Sequence, residues 1–323
     1  MNVGTLQFFS WPGRRVPLPE VYERALSRIE IMDQTGYDCV WLAEHHFSTY
    51  SVCPSVHMMG VQVASRTQNI RIGMGVTLAA MYHPLRIAEE VALLDHFSGG
   101  RVNWGAGRGF DRKEYEVFGV TPETGGEQFR ENFQIVVEAW KNEKLTYHGK
   151  YWDFEDVEVL PKPLQDPHPP VWMAATSRES IEAAAKLGFS ILMDPHSSHE
   201  EIGEKRQLFF DTLREHGHST ENRILPTARL IAVADTDAEA EVIASQGAKW
   251  MLGSYINRPD EDMDPVDRYV QKVMIHGTKE KVVDEILRLQ DEIGLDYLMC
   301  APLSHDSFVR FTDDVLPNLP IKD

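Results

Sequence analysis

Residues His83–Gly107 read HPLRIAEEVALLDHFSGGRVNWGAG. Apolar residues recur at helical spacing up to Phe97. Pro84 sits where a proline opens a helix, and Gly99 and Gly100 close it. RVNWGAG then reads as a short buried strand. A helix feeding directly into a buried strand is half of a strand–helix–strand unit. Repeated units of this kind imply parallel strands joined by right-handed crossovers.

The same alternation runs in both directions from this stretch. Val3–Phe9 is a strand, and LPEVYERALSRIEIMDQTG is a helix ending at Gly36. Cys39–Ala43 (CVWLA) is the second strand, Pro54–Ser65 a helix, and NIRIGMGVTL contains the third strand. Beyond the fourth strand, RVNWGAG, lie a helix over Phe129–Trp140, the strand VWMAA and a helix over Arg178–Leu187. The strand SILMD, a helix over Glu200–His216 and the strand ILPTARLIAVA follow. Lys279–Ile293 and LDYLMCA supply the last helix and the eighth strand. About eight units over this length predict an α/β fold of the (β/α)8 TIM barrel type with insertions. An open doubly wound sheet is the alternative. No Pro/Gly/Ser linker divides the chain, so residues 1–323 are expected to form one domain. Glu143–Pro170, rich in proline and aromatics, and Trp250–Gly277, with the acidic stretch RPDEDMDP, interrupt the rhythm as excursions. The second is a candidate lid, or else a solvated surface loop.

Composition narrows the class. With 323 residues, 42% hydrophobic, the chain can bury a substantial core. A net charge of -18 argues against nucleic acid or an anionic membrane surface as partner. No apolar run is long enough to span a bilayer, and no charged-then-apolar leader follows Met1, so a soluble cytoplasmic protein is expected. Cys39, Cys53 and Cys300 are too few and too scattered for a disulfide framework or a zinc knuckle.

Three stretches carry candidate chemistry. Asp38–Phe47 reads DCVWLAEHHF. A parallel strand buried on both faces is continuously apolar, and barrels place their active sites where such strands end. Glu44, His45 and His46 begin where this strand ends. Adjacent residues on a strand point to opposite faces, and no HxH or HExxH partner appears elsewhere, so a metal site is not expected. The imidazoles are either hydrogen-bonded core groups or an acid–base device oriented by a carboxylate. NWGAGRGF (Asn103–Phe110) sets Arg108 on a glycine-rich turn, either to bind an anion or to form a surface salt bridge. AATSRES (Ala174–Ser180) opens a helix. Thr176 and Glu179 have capping-box spacing, and the free amides, hydroxyls and Arg178 could instead receive a phosphate.

EHHF, MYHPLRIAEEVALLDHFSGGRVNWGAGRG and LPKPLQDPHPPVWMAATSRES together resemble the bacterial luciferase-like flavin-dependent monooxygenase family. GTKEKVVDEILRLQDEIGLDYLMC is similar to that family's closing helix and strand. The resemblance implies a (β/α)8 barrel that binds reduced FMN delivered by a separate flavin reductase. It implies that dioxygen forms a flavin peroxide that oxygenates a small organic substrate. His45 matches the catalytic histidine, with Glu44 orienting it. Arg108 matches a phosphate-binding arginine. Ala175, Thr176 and Ser177, with Ser180, match the phosphate loop. Gly75 and Val76 match a backbone bend under the flavin ring, often a non-prolyl cis bond. A homodimer or heterodimer is implied, through Pro54–Ser65 and Pro84–Phe97. Two positions depart from the pattern. Gly107 stands where luciferase has a reactive cysteine, and Ala175 replaces the loop's glutamate, so a non-luminescent monooxygenase is expected. Asp194 and His196, in MDPHSSH, are candidates for a substrate pocket, as are the aromatic Phe8, Phe9, Trp11 and Phe110. The alternatives are a deazaflavin-dependent oxidoreductase of the same superfamily, a non-catalytic flavin-binding subunit, and a metal-dependent barrel hydrolase.

Overall fold

A computed structural model describes residues 1–254 and 263–321. Its strands, in chain order, are β1 (Asn2–Gln7), β2 (Cys39–Leu42), β3 (Arg71–Met74), β4 (Thr77–Leu78), β5 (Val102–Gly107), β6 (Leu145–His148), β7 (Asp153–Val157), β8 (Val171–Ala174), β9 (Ser190–Leu192), β10 (Pro226–Val233), β11 (Ile275–Gly277) and β12 (Tyr297–Pro302). Its helices are α1 (Leu18–Asp33), α2 (Val56–Arg66), α3 (Pro84–Ser98), α4 (Arg112–Phe118), α5 (Pro122–Lys141), α6 (Arg178–Lys186), α7 (His199–Glu215), α8 (Asp237–Ser254), α9 (Pro265–Arg268), α10 (Lys279–Ile293) and α11 (His305–Arg310). The chain is an α/β protein with parallel strands. It divides into two compact units: Met1–Gln7, Gln34–Cys39 and Ala175–Asp323 make one, and Phe8–Asp33 and Val40–Ala174 make the other.

In the unit that contains Val40–Ala174, β5 lies between β3 and β8. Ile72 stands opposite Val102, and Trp104 opposite Val171, all in parallel register. Every residue of β2 and of β5 is buried; β2 reads as an unbroken apolar run, whereas β5 carries buried Asn103 within it. The single strand expected in NIRIGMGVTL is two strands, β3 and β4, with the cis Gly75–Val76 peptide between them. The His83 ring caps α3 by accepting the Leu85 N–H at 3.2 Å, and Gly99 closes the helix with φ +68°. An L side chain resists that φ, so glycine suits the position. Helix α5 starts at Pro122, a full turn and more before the expected Phe129, because Thr121 caps it. The Glu143–Pro170 excursion contains the antiparallel β6–β7 hairpin. Buried Glu131 on α5 fixes the hairpin by accepting the amides of Lys150, Tyr151 and Trp152 at 3.1, 2.9 and 3.0 Å.

In the other unit the parallel order is β11-β10-β12-β1, and Met193, just past β9, bridges to Thr227 on β10. Tyr297 stands beside Asn2 on one side and Pro226 on the other. Helix α8 lacks a counterpart in the sequence reading. So does β11, which pairs Ile275 with Ile231 inside the segment read as an excursion. Within that Trp250–Gly277 segment, residues 255–262 lie outside the described residues.

Candidate functional site

Strand β2 ends at Leu42, and Ala43–His46 follow it without regular secondary structure. Glu44 is 2% exposed and His45 9%. The Glu44 carboxylate does not orient His45. Its Oε1 lies 3.0 Å from His46 Nε2 and accepts the Tyr82 hydroxyl at 2.7 Å, while Oε2 accepts the Leu78 N–H at 3.4 Å. Glu44 thus meets His46, two residues on, rather than its immediate neighbour. Burial, with the Glu44 charge beside it, pushes the Tyr82 phenol up from its ordinary range.

The carboxylate beside His45 is Glu114, 1% exposed, on α4. Its Oε1 accepts the His46 backbone N–H at 2.8 Å and stands 3.7 Å from His45 Nδ1. Its Oε2 is buried with no hydrogen-bond partner among the described residues. The Phe8 ring lies nearly parallel to the His45 ring at 6.2 Å, and Tyr50 meets that ring edge-on at 5.0 Å. Burial, then the Glu44 charge, pushes the nearby Cys53 thiol up to about 12, so it stays a neutral thiol.

Glu114, Tyr82 and Tyr50 were not singled out from the sequence. The one local sign of Glu114 was its spacing from Asp111, the residue whose side chain caps α4 by accepting the Glu114 N–H at 2.9 Å. Of the aromatic candidates, Phe8 belongs to this cluster. Phe9 is fully buried core, the Trp11 indole donates to the Val16 carbonyl at 2.8 Å, and Phe110 is exposed.

Gly75 and Val76 follow β3, and Gly107 and Arg108 mark the end of β5. A Cβ at Gly107 would stand 2.9 Å from Val76 Cγ2 and 3.2 Å from Ala174 Cβ, too close to be accommodated without a shift. Glycine fits that close approach without a shift, whereas a cysteine there would have to displace Val76 or Ala174. Arg108 is exposed and makes no ion pair among the described residues.

In the other unit, Ala175 is buried and Thr176–Glu179 are exposed at the start of α6. The capping box is Ser177 with Ser180, one residue along from the expected Thr176–Glu179 pair. Ser180 Oγ accepts the amides of Thr176 and Ser177, each at 3.1 Å. The amides of Arg178 and Glu179, in the first turn, have no intrahelical acceptor. Asp194 is committed to bonds within its own unit. It organises its own loop, accepting the amides of His196 and Ser197 at 2.9 Å each and pairing with Lys205 at 3.0 Å. Burial works against its charge, but Lys205 and His196 outweigh that and hold it well below the usual carboxylate range. His196 Nδ1 lies 3.2 Å from the Tyr269 hydroxyl. Among the described residues no cluster of three or more His, Cys, Asp or Glu side chains is placed to hold a metal ion, and no helix is long and apolar enough to cross a membrane.

A family model described as luciferase-like monooxygenase matches residues 1–296. The chain is 30% identical over 298 residues to the oxygenase component of a flavin-dependent trigonelline monooxygenase of Acinetobacter baylyi, covering 86% of this chain and 82% of that protein. Its fold is similar to the oxygenating constituent of 3,6-diketocamphane monooxygenase from Pseudomonas putida, solved in complex with FMN. The TM-score is 0.82 at 20% identity, over 100% of both chains. It is also similar to an F420-dependent secondary alcohol dehydrogenase, with a TM-score of 0.81 at 17% identity over 100% of this chain and 99% of that one.

Proposed function

The chain belongs to the luciferase-like monooxygenase family, and on that premise we propose that it is the oxygenase component of a two-component system using reduced FMN and dioxygen. A separate flavin reductase supplies the reduced FMN, and the substrate is a small organic molecule. The observation that carries this reading is His45, buried at the end of β2 between aromatic rings and beside an undersatisfied carboxylate. The trigonelline monooxygenase and the FMN-bound diketocamphane enzyme support flavin as the cofactor. A closed (β/α)8 barrel over residues 1–323 is part of the proposal, supported by the parallel strands within each unit and the fold similarity above.

The residues fit a flavin. Gly75 and Gly107 present backbone without a side chain, with Val76 packed against Gly107, and Arg108 offers an exposed guanidinium with no ion pair among the described residues. In the other unit, Ala175, Thr176, Ser177 and Ser180 form a hydroxyl-rich helix start suited to a phosphate. Reduced FMN, when bound, supplies the electrons that let dioxygen deliver one oxygen atom to the substrate and the other to water. His45 moves a proton between its imidazole and the reactants, the work for which imidazole is suited near neutral pH. Glu44 fixes His46 and Tyr82, which holds the wall of the site rigid. The Phe8 and Tyr50 rings exclude water from the imidazole.

Helices α2 and α3 leave Met58 75% and Phe97 59% exposed, with Val61 and Leu93 beside them in sequence register. Apolar exposure on this scale supports a homodimer through these two helices. The test of function is His45→Ala, assayed with a flavin reductase, for reduced-FMN binding, oxygen uptake and oxygenated product. Binding is expected to persist while product falls by about 100-fold or more and hydrogen peroxide replaces it. Coupled product formation at the wild-type rate would overturn the reading. Anaerobic titration with a reduced deazaflavin in place of FMN distinguishes the related oxidoreductase chemistry.

A further inference from the structure

Resting on the flavoenzyme reading above, we propose that Glu114 is the positioning residue for His45: its carboxylate holds the imidazole by Nδ1–H and leaves Nε2 as the atom that exchanges protons. The argument begins with how this chain treats its other buried carboxylates. Asp33 accepts the amides of Gln68, Asn69 and Ile70. Glu131 accepts three amides of the β6–β7 hairpin. Asp194 takes two amides, the Ser197 hydroxyl and Lys205. Each is saturated, as buried acceptors nearly always are. Glu114 is the exception among them, with one oxygen bound to the His46 N–H and the other without a partner.

An unsatisfied buried carboxylate is costly, so its retention asks for a use. The donor beside this carboxylate is His45 Nδ1, 3.7 Å from Oε1, the oxygen that already accepts the His46 amide. At 3.7 Å the pair lies beyond direct hydrogen-bonding distance, so the bond the proposal assigns requires the two groups to close by less than about 1 Å. The gain is largest when the ring carries a proton on both nitrogens, because the bond is then charge-assisted. The carboxylate itself is fixed. Asp111 caps the helix at the Glu114 amide, and the His46 amide grips Oε1. Glu44, on the same segment, is committed to His46, Tyr82 and Leu78. Phe8 and Tyr50 offer their rings.

The test uses the full chain and two independent readouts. First, imidazole nitrogen NMR of the cofactor-free protein reports which His45 nitrogen carries the proton. The Nδ1–H tautomer is expected to dominate in the wild type, and Glu114→Gln, which keeps an acceptor for the His46 amide but loses the charge, is expected to shift the ring toward Nε2–H. Second, in the reductase-coupled assay Glu114→Gln is expected to bind reduced FMN normally while kcat for product falls about 100-fold. Glu114→Asp should recover part of that loss. In a His45→Ala background the Glu114→Gln change is expected to add nothing. If Glu114→Gln does not fold, the wild-type tautomer and the Glu114→Asp kinetics decide alone. A wild-type Nε2–H tautomer, unchanged kcat, or an additive loss in the double variant would overturn the assignment. The tautomer measurement needs no flavin, so it stands or falls separately from the proposed oxygenase activity.

Discussion

His199, the first residue of α7, makes stability depend on pH in a way that can be worked out from its neighbours. Its Nδ1 accepts the Nε–H of Arg229 at 3.1 Å, and Arg229 is fully buried on β10. Burial, and then the Arg229 charge, lower the imidazole to about 4; Glu285, 3.8 Å from Nε2, only partly opposes them. In the unfolded chain the ordinary value is about 6.5. The folded form therefore holds fewer protons than the unfolded form between those limits. The stability contributed by the neutral ring is complete above the unfolded value and is lost as pH falls toward the folded one. At pH 5 the unfolded imidazole is almost fully protonated and the folded one about one-tenth, a ratio of about 30 in proton-binding factors, or about 2 kcal/mol. The perturbation is His199→Asn, whose Oδ1 can still accept from Arg229 but cannot titrate. Urea unfolding followed by tryptophan fluorescence at pH 7.5 and pH 5.0 gives the loss for each protein. The wild type is expected to lose about 2 kcal/mol more than the variant. His83, His168 and His276, also lowered by burial, are common to both and cancel. Equal losses in the two proteins would refute the account.

Further expectations concern the framework. Asp33→Ala removes the acceptor of three successive amides that tie the end of α1 to the turn before β3, and should cost about 2–3 kcal/mol in chemical denaturation. Burial disfavours the Asp33 charge, but the three amides and Arg101 prevail and hold it low. The difference between the wild type and Asp33→Ala should therefore shrink as pH falls through that lowered range, and a pH-independent difference would refute this cause. Leu93→Glu on the exposed face of α3 should halve the molar mass measured by sedimentation, with the far-UV spectrum unchanged. An unchanged mass would remove α2 and α3 from the proposed interface.

Much of the fold was legible because it is written locally. The caps and glycines that bound α3 and α10 are neighbours in sequence of the helices they end, and a doubly buried strand such as β2 advertises itself as an apolar run. Besides the 18-residue α8, the elements that escaped include short ones. α4 is seven residues long, and β11 is three residues whose pairing with β10 holds them in place. The α6 cap slipped by one residue because serine and threonine both cap, and only backbone geometry chooses Ser177 over Thr176.

The site divides in the same way. The sequence by itself determined that Glu44, His45 and His46 leave a buried strand together, and that Arg108 and Ala175–Ser180 stand where strands give way to turns, since periodicity and glycine placement act over a few residues. Only the tertiary structure decided which carboxylate serves which imidazole. Glu44 bonds His46, and the partner beside His45 arrives on a helix whose Glu114 meets the His46 amide across a separation of 68 residues. A contact that distant is set by packing, where burial and the demand to satisfy polar groups act between segments that share no local code.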